Sequence, residues 1–123
     1  MFGEKPIKGY NFTKVQNNKI VLPKFTFSEK DDELLVLKIY EDYIVIEKNL
    51  YLSIIQTYEN RINETPLRDE KIKLMKRVKS FYYAIKQNTK CDEKHRITVP
   101  HGLNGQNMLL EGKNKYLLMI KEV

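Results

Sequence analysis

Four side chains able to ligate a metal or to activate a nucleophile lie close together near the carboxyl end: Cys91, Asp92, His95 and His101. A Cys–His pair could form a reactive thiolate, and the Cys and His spacing loosely matches a zinc ligand set. Alternate residues of a strand face opposite sides, however, and no second Cys cluster completes such a site. No Gly-rich phosphate loop, Ser-His-Asp order or HExxH motif is present. We therefore expect no enzyme activity, no cofactor, no metal and no small-molecule substrate.

A second set of reactive side chains belongs to an element that occurs twice. Residues 14–23 read Lys-Val-Gln-Asn-Asn-Lys-Ile-Val-Leu-Pro, and residues 91–100 read Cys-Asp-Glu-Lys-His-Arg-Ile-Thr-Val-Pro. In each copy a basic residue, Lys19 or Arg96, lies four positions before the proline and is followed by Ile. The pattern predicts a short strand, a polar tip, the basic residue, and a second strand that ends at the proline.

The residue before each basic one is conformationally informative. A tight hairpin tip usually needs a positive φ angle, which Gly adopts freely. These positions hold Asn18 and His95, two residue types that tolerate the left-handed region better than most. We therefore predict that each tip closes at this residue and projects Lys19 or Arg96 from a rigid base, which limits the entropy lost on binding a partner.

The second copy also offers an ion pair across its tip. Asp92 lies four residues before Arg96, so the two side chains are expected to pair. At the matching distance before Lys19 the first copy has Val15. Lys19 is therefore expected to lack the local partner that Arg96 has.

Each copy is followed by a second apolar hairpin. After Pro23 and Pro100, which end the motifs, come four apolar strand-like segments: residues 34–40, 43–47, 108–111 and 116–120. Turns are expected at residues 41–42 and 112–114, where polar residues or Gly interrupt the apolar pattern. Each half of the chain thus predicts two hairpins in the same order.

Two helices are predicted between the halves. Residues 49–62 show helical spacing of Ile and Tyr, with Asn49 as the expected N-cap. Thr65 and Pro66 are expected to cap and begin the second helix. Its expected apolar stripe comprises Leu67, Leu74, Met75, Val78, Phe81, Tyr82 and Ile85. Its opposite, basic face is typical of a solvated helix surface.

These elements predict an α+β fold in one compact domain. The expected organisation is a first β repeat at 1–48, a two-helix connection packed on the sheet at 49–85, and a second β repeat at 86–123. Residues 10–47 and 82–120 are expected to superpose as pseudo-symmetric units. A chain of 123 residues buries a modest share of its surface, so self-association is expected to aid its stability.

Charge and composition favour a polyanionic partner in the cytoplasm. Residues 61–123 hold 14 Lys and Arg against 7 acidic residues, whereas residues 1–60 hold 8 Lys against 9 acidic residues. A basic balance of this kind is a prior for nucleic acid. No apolar run approaches the ~20 residues of a membrane span, and the first residues lack the apolar core of a secretion signal. The single cysteine fits a reducing compartment.

The chain resembles the MraZ family of bacterial transcriptional regulators, which belongs to the SpoVT/AbrB-like swapped-hairpin class. The family motif is a strand, Asp-x-x-x-Arg, and a strand that ends in Pro, present twice. Residues 92–100 match it fully, and residues 15–23 match it in outline, with Val15 and Lys19 at the two key positions. The start, residues 1–4, also looks like the family's, as do residues 65–67 before a basic helix.

The resemblance implies two SpoVT/AbrB-like hairpin repeats with two helices between them, in a protein that is nucleoid-associated and forms a dimer or a higher ring. It implies binding of double-stranded DNA at repeated promoter sites, chiefly through the first copy, so that Arg96, tied to Asp92, has a structural role. The expected DNA-binding residues are Lys14, Asn17, Asn18, Lys19, Lys94, His95 and Arg96. Asp92, Pro23 and Pro100 are expected to support the tips.

A protein-interaction or assembly module of the same fold that has lost specific DNA binding is the alternative. Neutralising phosphates makes affinity fall steeply with salt, at a log–log slope near −0.9 per contact. An apolar protein interface is far less sensitive to salt. Salt dependence therefore separates the two functions.

Overall fold

The computed structural model describes residues 7–23, 33–82 and 84–122, except the side chains of Val78, Phe81 and Tyr82. Within these residues the chain forms strands and two helices, which confirms the α+β class. The strands are β1 (Tyr10–Lys14), β2 (Lys19–Val21), β3 (Leu34–Ile39), β4 (Asp42–Glu47), β5 (Ile85–Thr89), β6 (Arg96–Thr98), β7 (Asn107–Gly112) and β8 (Tyr116–Lys121). The helices α1 (Lys48–Glu64) and α2 (Arg68–Tyr82) separate β4 from β5.

The strands form one large sheet and one small ribbon. The large sheet has the order β1-β7-β8-β4-β3-β5, and the ribbon pairs β2 with β6. Every one of these pairs is antiparallel. Because β1 pairs with β7 and β5 pairs with β3, strands from the two halves of the chain share one sheet. The first hairpin predicted for each half is therefore wrong as a strand pairing, since β1 and β2 belong to different sheets, as do β5 and β6.

Strand β3 of the large sheet is covered on both faces, which explains its long apolar run. In β3 the alternate residues Leu34 and Val36 face one core, while Leu35 and Leu37 face another, and all four are buried. The first core lies between the sheet and the ribbon and contains the paired residues Ile20 and Ile97 of β2 and β6. The second core is closed by residues Leu50, Tyr51 and Ile55 of α1.

The first predicted turn is displaced by one residue. The expectation placed it at Glu41 and Asp42, but Ile39 pairs directly with Asp42, so the chain reverses at Tyr40 and Glu41. Tyr40 has a φ angle of 56°. A positive φ at the first loop position is typical of a type II′ turn, where Gly is the usual residue. The polar pair was a misleading signal because Asp42 begins β4.

The predicted helix caps are also wrong. The expected cap Asn49 lies inside α1, whose N-cap is Glu47, without a side-chain capping bond. Strand β4 therefore runs straight into α1. Thr65 is the C-cap of α1, and its hydroxyl donates to the Arg61 carbonyl. Pro66 precedes α2 rather than beginning it, since that helix starts at Arg68.

Among the described residues of the apolar stripe expected for α2, most are exposed, whereas the side chains of Val78, Phe81 and Tyr82 lie outside the described residues. Leu67 is 60% and Met75 is 52% exposed, and Ile85, expected in the helix, is the first residue of β5 and 71% exposed. Among the described residues α2 packs chiefly on α1. None of the described helices is both long and apolar enough to cross a membrane.

Candidate nucleic-acid interface

The ribbon presents the two repeated basic residues on one surface. Its register pairs Lys19 with Thr98, Ile20 with Ile97, and Val21 with Arg96. Side chains alternate along a strand, so the burial of Ile20 and Ile97 in the core directs their neighbours outward. The Lys19 side chain is 40% exposed and that of Arg96 is 36% exposed.

The first tip, residues 16–19, is a two-residue turn. The Gln16 N–H donates to the Lys19 carbonyl at 3.0 Å, and the Lys19 N–H donates to the Gln16 carbonyl at 2.9 Å. Asn17 and Asn18 have φ angles of 52° and 61°, as a type I′ turn requires at both central positions. The prediction for Asn18 is confirmed. Asn17 shares the conformation because a two-residue loop needs a matching pair.

The second tip, residues 92–96, is one residue longer. The Asp92 N–H donates to the Arg96 carbonyl at 2.9 Å, and the His95 N–H donates to the Asp92 carbonyl at 3.0 Å. His95 has a φ angle of 60°, as predicted. A three-residue loop that ends in the left-handed conformation is a common hairpin connection.

The difference in tip length changes the correspondence between the two copies. By their hydrogen bonds, Asp92 matches Gln16, so the expectation that Val15 takes the place of Asp92 is wrong by one residue. Val15 matches Cys91 instead, and both are buried in the same core, at 1% and 8% exposure. The extra residue in the second tip accounts for the shift. Cys91, a candidate nucleophile or ligand on sequence grounds, therefore occupies a core position.

The Asp92 carboxylate organises the surface around both tips. Its Oδ1 accepts hydrogen bonds from the Lys94 and Arg96 backbone N–H groups, each at 2.9 Å. Its Oδ2 accepts from Arg96 Nε at 2.8 Å and lies 3.9 Å from Lys19 Nζ. The partner of Lys19 therefore comes from the other copy of the motif, which the expectation about a local partner did not cover. The Arg96 backbone N–H, with its side chain, lowers the pKa of Asp92 despite opposition from partial burial.

Hydrogen bonds also connect the tip of each copy with the other copy of the motif. The Leu22 N–H donates to the His95 carbonyl, and the Val99 N–H donates to the Asn18 carbonyl, both at 2.8 Å. The His95 ring Nε2 donates to the carbonyl of Pro23 at 2.9 Å. Asn18 thus accepts a backbone hydrogen bond from the residue after β6, and His95 accepts one from the residue after β2. His95, an expected DNA-binding residue, has a bracing role in this arrangement.

Two further braces on the first tip were not predicted. Asn104 Oδ1 accepts from the Asn18 N–H at 2.8 Å, and the His101 ring Nδ1 donates to Asn18 Oδ1 at 3.0 Å. His101 begins the short 3-10 turn that follows Pro100. No local pattern marks these residues, because they reach the tip only through the pairing of the two halves. The polar character of the loop after Pro100 was the only signal.

The predicted DNA-binding residues divide into two groups. Lys19, Arg96 and the exposed Asn17 and Lys94 lie at the tips. Lys14 ends β1 opposite Asn107. Because Lys14 precedes the buried Val15, strand alternation directs it to the sheet face opposite the ribbon. Lys14 is therefore separate from the site that Lys19 and Arg96 form.

The described residues contain no group of three His, Cys, Asp or Glu side chains that could hold a metal. His95 and His101 are instead engaged with the backbone of Pro23 and with Asn18. The tips present three cations (Lys19, Lys94 and Arg96), two carboxylates (Asp92 and Glu93) and exposed amide groups. Such groups suit phosphate oxygens and base edges, with the arginine fork oriented by its bond to Asp92.

No protein-family model matches the chain, and no curated protein is significantly similar to it. The function must therefore be inferred from the geometry and charge of the tips and the sheet.

Proposed function

We propose that the chain is a sequence-specific double-stranded DNA-binding transcriptional regulator of the MraZ type, which binds repeated promoter sites as an oligomer. The observation that carries this proposal is the convergence of Lys19 and Arg96 on the Asp92 carboxylate. These cations come from different halves of the chain, yet they lie on the same exposed surface. A preorganised cationic surface on rigid hairpin tips suits a duplex, whose phosphates and base edges are fixed in space.

The strand order supports the MraZ-type assignment. Exchanging β1 with β5, β2 with β6, β3 with β7 and β4 with β8 returns the same two sheets, with the large one in reverse order. Two interlocked hairpin repeats of the SpoVT/AbrB-like kind would produce this order. The bonds from Leu22 to His95 and from Val99 to Asn18 are related by the same exchange.

In this proposal Arg96 and the amide side chains recognise the base sequence. An arginine fork that binds guanine O6 and N7 contributes about 1–3 kcal/mol of discrimination. Lys19 supplies a point charge suited to phosphate, and the exposed Asn17 can donate to and accept from a base edge. The ribbon of one chain reads only a few base pairs. Several ribbons on one oligomer would bind repeated sites together and multiply modest affinities.

A protein-interaction or assembly module of the same fold is the second candidate function. The exposed aromatic side chains Tyr10 and Phe12 favour it, since they are 70% and 64% exposed on one strand. In this second function strand β1 would serve assembly, and the chain would have lost specific DNA binding. In the first function we place the protein in the cytoplasm, associated with the nucleoid.

The proposal is tested by DNA binding with matched lysine variants. We expect the chain to shift a duplex taken from upstream of its own gene, and Lys19→Ala to weaken that shift. Lys73→Ala is the control, because Lys73 is an exposed lysine of α2, which packs on α1 at the face of the sheet opposite the ribbon. Equal binding by the parent and by Lys19→Ala would overturn the assignment of the ribbon as the DNA-binding surface.

A further inference from the structure

Strand β1 forms one end of the large sheet and carries two exposed aromatic rings. It pairs with β7 along one edge, and none of the described strands pairs with its other edge. Tyr10 and Phe12 are two residues apart, so they lie on the same face of the sheet. An edge strand of this kind presents free backbone N–H and C=O groups beside apolar side chains, which makes it a template for pairing with another strand.

The rings continue an apolar row across the sheet. Phe12 lies opposite Leu109 in β7, and Leu109 lies opposite Ile120 in β8. Leu109 and Ile120 are half-buried. On the same face, at the other end of the sheet, Leu35 and Leu37 are covered by α1. This face of the sheet is therefore covered by α1 at one end, whereas its side chains on β1 are exposed at the other end.

We propose that the β1 strands of two copies of this chain pair antiparallel about Phe12 and join their large sheets. In this register Phe12 of one copy faces Phe12 of the other, and Tyr10 of each copy faces Lys14 of the other. An aromatic pair and two cation–π contacts are favourable cross-strand combinations. The two apolar rows then meet at the twofold axis, which is the usual symmetry of a self-complementary contact. This inference names the partner for the oligomeric part of the proposed function and rests on that part alone.

The opposite edge of the sheet lacks this self-complementarity. Strand β5 exposes Ile85 to a similar extent, 71%. Antiparallel pairing of two β5 strands about Gln87 would set Ile85 against Thr89, which is buried at 8% exposure, and Lys86 against Asn88. No aromatic or apolar pair forms in that register. Ile85 is therefore a matched control for Phe12, because it is similarly exposed and also lies on an edge strand.

Analytical ultracentrifugation of the full chain tests the contact. We expect the parent to self-associate, and Phe12→Lys to raise the dissociation constant about 30-fold or more, as loss of a central interface side chain does. Ile85→Lys should leave the association unchanged. A parent that stays monomeric at roughly 100 µM, far above the Kd of a standard interface, would overturn the inference. So would dissociation caused by Ile85→Lys and not by Phe12→Lys.

Crosslinking identifies the register independently of the effect of a lysine on folding. In a Cys91→Val background, Phe12→Cys should form a disulfide-linked dimer on oxidation, whereas Ile85→Cys should not. Absence of the Phe12→Cys crosslink in a folded, associated protein would place the contact elsewhere. DNA binding is measured separately on the same proteins. Assembly through β1 without DNA binding would contradict the proposed function alone, and DNA binding with assembly through another surface would contradict this inference alone.

Discussion

Lys19 Nζ lies 3.9 Å from Asp92 Oδ2, although the two residues belong to opposite halves of the chain. The same oxygen accepts a hydrogen bond from Arg96 Nε at 2.8 Å. One carboxylate therefore orients the basic residue of each tip. All three side chains are partly exposed, so the pairs position the cations more than they stabilise the fold. The two tips form one composite surface and not two independent readers.

The Asp92 carboxylate should give the fold an acid-sensitive component. Its pKa in the folded state is lowered below the ordinary value of 3.8, chiefly by the Arg96 backbone N–H. The stabilisation is therefore present above pH 3.8 and is lost as the pH falls through the lower, folded-state pKa. We expect Asp92→Asn to have a lower free energy of unfolding than the parent at pH 7, and the difference to narrow below pH 3.8.

Denaturant unfolding of both proteins between pH 7 and pH 2.5 measures this difference. Glu93→Gln is the control, because Glu93 is the exposed acidic neighbour of Asp92 in the same tip. A difference between Asp92→Asn and the parent that does not change with pH would show that the charge of Asp92 is not what supports the tip.

Arg96→Ala should affect both stability and DNA binding. The substitution removes the 2.8 Å bond to Asp92 and the side chain opposite Val21 in the ribbon. We expect a melting temperature lower by roughly 2–6 °C for a chain of this size, together with weaker DNA binding. Lys19→Ala should weaken DNA binding while the melting temperature stays within about 2 °C of the parent. The ion pair of Lys19 with Asp92 is longer than that of Arg96 and is partly exposed, so it contributes little to stability. Thermal melts and anisotropy titrations on both variants separate the two roles, and equal melting temperatures for both would contradict them.

The first tip should be sensitive to residue shape. Asn17 has a φ angle of 52°, which β-branched residues adopt only under strain. We expect Asn17→Val to lower the free energy of unfolding by about 1–3 kcal/mol, whereas Asn17→Gly should be nearly neutral. Denaturant unfolding compares the three proteins. An unchanged stability in Asn17→Val would mean that the turn is not of type I′ in solution.

Features set by neighbouring residues were predictable from the sequence. The strands of the ribbon, the left-handed Asn18 and His95, and the Asp92–Arg96 pair all follow from turn chemistry within a few positions. The α+β class followed from apolar periodicity. The turn at Tyr40 was missed because that position holds a residue type seldom found at positive φ.

Features set by the pairing of the two halves were not predictable. The contact of Lys19 with Asp92 and the braces from His101 and Asn104 to Asn18 join residues that are more than 70 positions apart. Because the second tip is one residue longer, the sequence comparison matched Asp92 with Val15, whereas the residue equivalent to Asp92 in the first copy is Gln16. The exposure of α2 depends on where that helix packs, which its own apolar spacing does not determine.

The salt dependence of DNA binding tests the central claim most directly. Anisotropy titrations of a duplex from upstream of the chain's own gene, between 50 and 300 mM salt, give the slope of log K against log salt. Each phosphate contact contributes about −0.9 to that slope. We predict a slope of about −3 or steeper for the parent, reduced by roughly 1 in Lys19→Ala and unchanged in Lys73→Ala. Undetectable binding, or a slope near zero that Lys19→Ala leaves unchanged, would contradict the account.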